Sequence, residues 1–332
     1  MSSPINFGLI GAGAISQAYL QALRDVDGAR LAAVVDPLPD VLATVKESQR
    51  CEVFPSVDQL LSHGCEAAIV CTPPNTHVPI CRALLEESVP VLCEKPLCFD
   101  SGDAEQLIEL ADRHGVLFSM ATKFRFVEDI IEARHMMLSG IVGDVQLLQN
   151  AFTARVDMSR RWNSDPDVAG GGVLIDNGTH SVDLIRYFLG PISAVQAFEG
   201  RRIQNIPVED NVQLITRTYN NVIGSIDLSW SLSKDLPNYV EIYGSQGTIR
   251  VGWQRSMYKQ ASSSDWVEFG SGYNKVRAFY NQIVNFCRAI RGEEGIVVTA
   301  QDALASVRVI EAAYRSMMQN HWVPIGNGVH AA

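Results

Sequence analysis

No stretch of the 332-residue sequence approaches the roughly 20 consecutive apolar residues of a membrane helix, although apolar residues make up 47% of it. Metal-binding cysteine patterns are missing as well. Cys51, Cys65, Cys71, Cys81, Cys93, Cys98 and Cys287 are seven, an odd number, and no two form a C-x-x-C pair, so neither a zinc site nor a disulfide framework is expected. Cys71, Cys81, Cys93 and Cys287 fall in or beside expected strands and helices, as small hydrophobes do. Positive charge is short, with 27 Lys and Arg against 37 Asp and Glu and a net charge of −10. That disfavours nucleic acid, whose binding shows as a basic patch or stripe. It supports solubility and is mildly compatible with a small cationic ligand. The opening Met1-Ser2-Ser3-Pro4 lacks a basic segment followed by an apolar h-region, so export is not expected and a cytoplasmic location is. Internal repeats and low-complexity segments are absent.

The length exceeds what one core usually fills. We read residues 1–122 and 123–332 as two domains, with the last helix able to pack back on the first. From Ile5 to Ala121, short apolar runs alternate with amphipathic stretches, the pattern of βαβ units on a parallel sheet. Strands are expected at Ile5–Ile10, Arg30–Asp36, Cys51–Phe54, Ala67–Thr72, Val89–Cys93 and Val116–Met120. Helices are expected at Ser16–Val26, Val57–Ser62, Thr76–Glu87 and Ser101–His114, with Thr76 and Ser101 as N-caps. Beyond Thr122, longer alternating strands predict an antiparallel or mixed sheet with helices on one side. Asn220-Asn221 and Gly244-Ser245-Gln246-Gly247 read as hairpin turns. Ala278–Ile290 and Thr299–Gln319 read as helices, the second capped by Thr299 with Asp302 at its third position. The fold class is therefore α/β: a doubly wound parallel Rossmann sheet, then an α/β domain with a large, open, mostly antiparallel sheet.

The first strand runs into Gly11-Ala12-Gly13-Ala14-Ile15-Ser16, a turn of the kind that receives a dinucleotide pyrophosphate. Gly11 permits the tight turn and Gly13 lets backbone approach the ligand. Ser16 stands where the fingerprint has a third glycine, a departure from the motif. Asp36 ends the second strand, 25 residues beyond Gly11, where a carboxylate accepts from both adenosine ribose hydroxyls and repels a 2′-phosphate. With Pro37-Leu38-Pro39 following and no arginine, NAD is expected rather than NADP. Thr72, Pro73, Asn75 and His77 follow the fourth strand at the ligand-binding edge of the sheet. His77 either contacts the nicotinamide half or caps the next helix.

Lys95, in Cys93-Glu94-Lys95-Pro96, follows another parallel strand and points into the same crevice. Pro96 fixes the next φ and can support a cis peptide that aims the lysine. Asp176 and His180 are four residues apart, so they share a helix face, which Asp183 and Tyr187 continue. Gly178 between them costs about 1 kcal/mol of helix stability, a hint that something approaches its backbone. Oxidising a secondary alcohol takes a hydride from carbon and a proton from oxygen. His180 suits the proton transfer near neutral pH, Lys95 donates to the same oxygen, and Asp176 orients substrate or histidine. No metal is needed.

On Gly11-Ala12-Gly13, Glu94-Lys95-Pro96, the segment Gly170-Gly171-Gly172 through Asp176 and His180, and Glu311-Ala312-Ala313-Tyr314-Arg315-Ser316, nearly the whole chain resembles the glucose-fructose oxidoreductase, inositol dehydrogenase and rhizopine-catabolism (Gfo/Idh/MocA) family. The resemblance implies a nicotinamide-dependent oxidoreductase whose open sheet often forms the oligomer interface, here a homodimer or homotetramer. It also implies a catalytic set, Lys95, Asp176 and His180, similar to that of inositol-type dehydrogenases. Gly11, Gly13, Ala14, Ile15, Asp36, Thr72, Pro73, Asn75, His77, Glu94 and Lys95 are the expected NAD contacts. Lys123, Arg125, Arg155, Arg161, Trp162, Asn163 and Asp165 are substrate candidates by position, of which two or three are expected to touch it. Trp162 suits stacking on a sugar ring. The first reading is NAD-dependent oxidation of a ring hydroxyl on a cyclitol, sugar, amino sugar or sugar conjugate. Its rivals are NADPH-dependent reduction of a ketosugar or aldehyde, and a non-catalytic, nucleotide-responsive regulatory protein.

Overall fold

The computed structural model describes residues 3–326. Met1, Ser2 and residues 327–332, which enter the reading of the N-terminus and the two-domain division, lie outside them. The chain separates into two compact units, Met1–Phe126 with Lys275–Leu304, and Val127–Asn274 with Ala305–Ala332. Residues 275–304 thus pack with the first unit, whereas a division at 122/123 assigns them to the second. Among the described residues no helix is long and apolar enough to cross a membrane.

In the first unit, β1 (Ile5–Ile10), α1 (Ser16–Leu23), β2 (Ala29–Val35), α2 (Pro39–Gln49), β3 (Glu52–Phe54), α3 (Val57–His63), β4 (Ala67–Val70), α4 (His77–Glu86), β5 (Val91–Glu94), α5 (Ser101–His114) and β6 (Phe118–Ala121) alternate. Among the described residues the six strands form one sheet, β3-β2-β1-β4-β5-β6, with every pair parallel. This is the doubly wound order, with its switch point between β1 and β4. Apolar runs such as Ala67–Val70 are buried throughout, as strands covered on both faces must be.

Helix α2 went unread in the sequence. Its N-cap, Leu38, makes no side-chain cap bond, and Pro39 sits in its first turn, where the missing N–H is tolerated. Two N-cap readings also need correction. Asp100, not Ser101, caps α5 by accepting from the Gly102 and Asp103 amides. Thr76 makes no cap bond; its hydroxyl donates to Pro73 O at 2.7 Å.

The helix Lys275–Ile290 joins this core through Phe279, Ile283, Phe286 and Cys287. Phe279 sets its ring 4.4 Å from that of Tyr19, and each such apolar side chain, fully buried, stabilises by roughly 1.5–3 kcal/mol.

The second unit contains α6 (Glu128–Leu138), β7 (Val145–Thr153), α7 (Pro166–Ala169), α8 (Val173–Leu189), β8 (Ile192–Glu199), β9 (Asn211–Thr218), β10 (Ile223–Ser229), β11 (Asn238–Gly244), β12 (Gly247–Gly252), β13 (Ser256–Gln260) and β14 (Val267–Gly270). The helix Lys275–Ile290 is α9, followed by α10 (Ala300–Gln319) and β15 (Val323–Pro324). Among the described residues the sheet runs β14-β13-β12-β11-β7-β10-β9-β8-β15. Only β7 with β10 is parallel, so the sheet is mixed and mostly antiparallel. Both hairpins form as read. Asn221, at φ 61°, turns β9 into β10, and Gly244 pairs with Gly247 at the turn between β11 and β12. Thr299 and Asp302 form the expected box: the Asp302 amide donates to Thr299 Oγ1 at 3.0 Å, and the Thr299 amide donates to Asp302 Oδ2 at 3.1 Å.

Helix α8 packs on β7, β9 and β10 through Leu174, Val182, Ile185 and their neighbours, all buried. A Cβ on Gly178 would lie 3.1 Å from both Leu174 Cδ1 and Leu228 Cδ1. What approaches this glycine is the unit's own apolar core, and the helix weakness expected there is a packing requirement.

Candidate active site

In the first unit the chemistry gathers at the carboxyl ends of β1, β2, β4 and β5. Gly11 adopts φ 90°, and a Cβ on it would sit 2.9 Å from the Cys71 carbonyl carbon and the Thr72 nitrogen, so glycine is required. Gly13 is exposed, and a Cβ there would meet no protein atom within 4 Å. The protein's own packing therefore does not explain that glycine. Ser16 is buried and donates to Gly13 O at 2.6 Å, tying the turn to the start of α1. Asp36 is 9% exposed. Its Oδ2 accepts from the Ala12 amide at 2.9 Å and its Oδ1 from the Leu38 amide at 3.0 Å. An ionised carboxylate has about four acceptor positions, which leaves capacity for two hydroxyls.

Glu94 is buried at the end of β5. Its Oε1 accepts from the Tyr19 hydroxyl at 2.8 Å and its Oε2 from the Lys95 amide at 3.1 Å. Burial pushes the carboxyl above its usual range, against the opposing pull of Lys95 and Lys123 and of these two bonds. Lys95 follows, half-buried, and the Lys95–Pro96 peptide is cis. His77 is fully buried. Its Nδ1 lies 2.8 Å from Pro96 O and its Nε2 2.9 Å from Thr72 O. Burial, with help from the Lys95 charge, lowers its pKa despite the carbonyls that favour the charged ring. A neutral ring carries one N–H, so His77 donates to one of these carbonyls at a time. Both ring nitrogens face carbonyls of the turns after β4 and β5, and the single N–H bonds one of them. His77 thus braces one of those turns at a time, and its side chain makes no cap bond to the helix it begins.

Arg125 also has a different place from the one read for it. It is 5% exposed, and its Nη1 donates to Val297 O at 3.2 Å and to Asp302 Oδ2 at 3.3 Å. The guanidinium thus ties the segment after β6 to the start of α10 within this unit. Lys123 is half-buried and lies 5.4 Å from the Phe124 ring centroid.

In the second unit, α8 presents Asp176 and His180 one turn apart. His180 is 6% exposed, Asp183 1%, and Asp176 is half-buried. Arg161 and Trp162 are exposed, Trp162 at 45%, and Asn163 follows in a single 3-10 turn, Trp162–Ser164. Arg155 and Asp165 are exposed in the same stretch.

One group that the sequence reading passed over is Glu209, which accepts from Gly172, Leu174 and Tyr314. The signal available was the run Gly170-Gly171-Gly172 before α8, a helix start with no capping side chain of its own.

Two family descriptions match the chain: an oxidoreductase family with an NAD-binding Rossmann fold over residues 5–122, and the GFO/IDH/MocA C-terminal domain over residues 130–250. The chain belongs to the Gfo/Idh/MocA oxidoreductase family. Inositol 2-dehydrogenase of Rhizobium meliloti is 24% identical, over 97% of this chain and 99% of that one. GenD2 from gentamicin A biosynthesis, solved with NAD, is 25% identical with a TM-score of 0.87 and 98% of each chain covered. Levoglucosan dehydrogenase, solved with NADH and levoglucosan, shares the fold at a TM-score of 0.91 and 18% identity, over 98% of this chain and 100% of that one.

An NAD-binding oxidoreductase of this family needs a pyrophosphate turn without side chains and an acceptor for the ribose. The exposed, unpacked Gly13 and the backbone-held Asp36 carboxylate fit both needs. Gly11, Gly13, Ala14 and Ile15 would hold the pyrophosphate and Asp36 the ribose. Thr72, Pro73, Asn75, Glu94 and Lys95 line the strand ends that follow, Asn75 being exposed and Thr72 and Pro73 half-buried.

Proposed function

We propose that this enzyme oxidises a ring secondary hydroxyl of a cyclitol, sugar, amino sugar or sugar conjugate to a ketone, with Lys95 and His180 handling the alcohol proton. The observation that carries the reading is the Asp176–His180 pair, one turn apart on α8, with His180 only 6% exposed. NAD, when bound, supplies the hydride acceptor. The chain supplies the rest. His180 takes the hydroxyl proton, a transfer worth roughly 10²–10⁴-fold. The Lys95 ammonium favours negative charge developing on the oxygen, and Asp176 orients the imidazole or the substrate.

Support for the substrate class comes from relatives. The Rhizobium meliloti protein named inositol 2-dehydrogenase aligns over nearly both full lengths, and GenD2 belongs to gentamicin A biosynthesis. Lys123, Arg161, Trp162 and Asn163 are the selecting side chains in this proposal, their polarity suiting a polyhydroxylated ring, with Trp162 stacking on it. The proposal includes a homodimer or homotetramer, and light scattering that gives the mass of one chain removes that part.

The test mixes the protein with NAD and a panel of inositols, hexoses, amino sugars and aminoglycoside conjugates, following reduced nicotinamide by absorbance. We expect turnover on at least one, reduced roughly 10²-fold or more by His180→Ala. No turnover on any polyol, or near wild-type turnover in that variant, overturns the reading.

A further inference from the structure

Helix α8 starts without a capping side chain. Gly172 is its N-cap residue and makes no side-chain cap bond, so the amides of the first turn must find acceptors elsewhere. They find them on one residue distant in sequence. Glu209 Oε1 accepts from Gly172 N at 2.9 Å and Leu174 N at 3.1 Å, and Glu209 O accepts from Val173 N at 2.9 Å. The Tyr314 hydroxyl, on α10, donates to the same Oε1 at 2.8 Å. Glu209 is 5% exposed.

The glycines are the other half of this joint. A Cβ on Gly172 would lie 2.0 Å from Glu209 O, and one on Gly171 would lie 2.0 Å from the Tyr314 hydroxyl oxygen. The clasp therefore explains Gly171 and Gly172 as positions where a side chain would block Glu209 and Tyr314. Asp210 anchors the next position: its Oδ2 accepts from the Ile203 and Gln204 amides at 3.0 and 2.8 Å and from Ser231 Oγ at 2.6 Å.

We propose that Glu209, held by Tyr314, is the positioning residue that caps α8 from outside and thereby sets Asp176 and His180 for the reaction. Asp176 stands two residues past Leu174, and its own amide donates to Gly172 O at 3.1 Å. A frayed first turn displaces Asp176 first and His180, one turn on, after it. The inference rests on the proposed roles of Asp176 and His180.

The test uses the full chain with Glu209→Ala, Glu209→Gln and Tyr314→Phe. Glutamine keeps a carbonyl oxygen for the two amides; alanine keeps none. The expected result for Glu209→Ala is a tenfold or greater loss in kcat/KM for the polyol, with the NAD dissociation constant within about twofold of wild type. Glu209→Gln should recover most of that loss, and Tyr314→Phe should lose severalfold. Should Glu209→Ala fail to fold, the Glu209→Gln and Tyr314→Phe pair carries the test. Glu209→Gln as damaged as a full deletion, or Tyr314→Phe with wild-type kcat/KM, overturns the proposal. Hydrogen exchange at residues 173–176 gives a readout free of substrate. Faster exchange in Tyr314→Phe, largely restored protection in Glu209→Gln, and unchanged exchange in β9 and β10 support the clasp; unchanged exchange at 173–176 refutes it. Wild-type protein inactive on every polyol removes the functional reading instead and leaves the exchange result standing.

Discussion

Replacing Asp36 with asparagine changes charge and hydrogen bonding while keeping the side chain's size. In the wild type each carboxylate oxygen takes one backbone amide, from Ala12 at 2.9 Å and Leu38 at 3.0 Å. The asparagine amide has one acceptor atom, so one of those two backbone N–H groups is left facing an NH₂. Leaving a buried donor unsatisfied costs about 1–3 kcal/mol, and here it loosens the glycine turn at Ala12 or the start of α2 near Leu38. For NAD, the acceptor that Asp36 would offer the ribose hydroxyls changes from charged to neutral. Bonds to charged groups are worth about 1.5–3 kcal/mol, so the loss is roughly tenfold to 150-fold in dissociation constant. For NADP the change works the other way. A doubly charged phosphate that came within about 5 Å of the carboxylate, at an effective dielectric of about 20–40, would be repelled by roughly 3–7 kcal/mol, and asparagine would remove that repulsion. The ratio of NAD to NADP affinity should therefore shrink by about 100-fold or more, read by calorimetric titration of both nucleotides into both proteins, with melting curves reporting the turn. Asp36→Asn that binds NAD within about threefold of wild type, with NADP affinity unchanged, would refute the assignment.

Three further outcomes are expected. Gly11→Ala should lower the melting temperature and abolish NAD binding, because its Cβ would press on the backbone of Cys71 and Thr72 at φ 90°, a strain of order 1–3 kcal/mol before any clash; an unshifted melt with intact titration contradicts this. Lys95→Ala should cut turnover roughly 10²-fold while NAD affinity stays within about threefold, whereas lost affinity with preserved turnover would take Lys95 out of the chemistry. Asp302→Asn should destabilise by about 1.5–3 kcal/mol at neutral pH, the worth of hydrogen bonds to a charged group, because Arg125 is 5% exposed but Asp302 22%. Burial alone would raise the Asp302 pKa, but the Arg125 charge and the bonds from Arg125 and Thr299 outweigh it and hold the carboxyl below its usual value. A depressed folded pKa adds stability that is present above the unfolded value of about 4 and lost as pH falls through the folded one. The gap between wild type and variant in denaturant melts should close below about pH 4, and a gap constant with pH would sink the argument.

The doubly wound half was legible because buried parallel strands are written as unbroken apolar runs, such as Ala67–Val70 and residues 91–93. Helix α2 was not, since its start carries a proline and no capping side chain. Proline is a breaker inside a helix and a good starter in its first turn, and only the neighbouring strands show which applies. The membership of α9 in the first unit was equally hidden. Its apolar face, Phe279, Ile283 and Phe286, announces a helix with a partner but carries no record of which core it meets; Tyr19 and Phe7 supply that.

For the site, residue type and spacing identify which side chains are capable of chemistry, but capability is consumed by neighbours. His77 and Arg125 looked as available as Lys95 in the sequence. The fold sets the one N–H of the first against the Thr72 or the Pro96 carbonyl and gives Nη1 of the second to Asp302 and Val297. Donors so committed have little left for a ligand, because breaking a buried bond strands a polar group at about 1–3 kcal/mol. Glu209 inverts the lesson. It follows a loop rather than a motif, so spacing gives it no role, yet it satisfies three amides of the helix that carries Asp176 and His180. Hydrogen-bond demand at a helix start preceded only by glycines is what points to it, because amides with no local capping side chain need an acceptor from elsewhere in the chain.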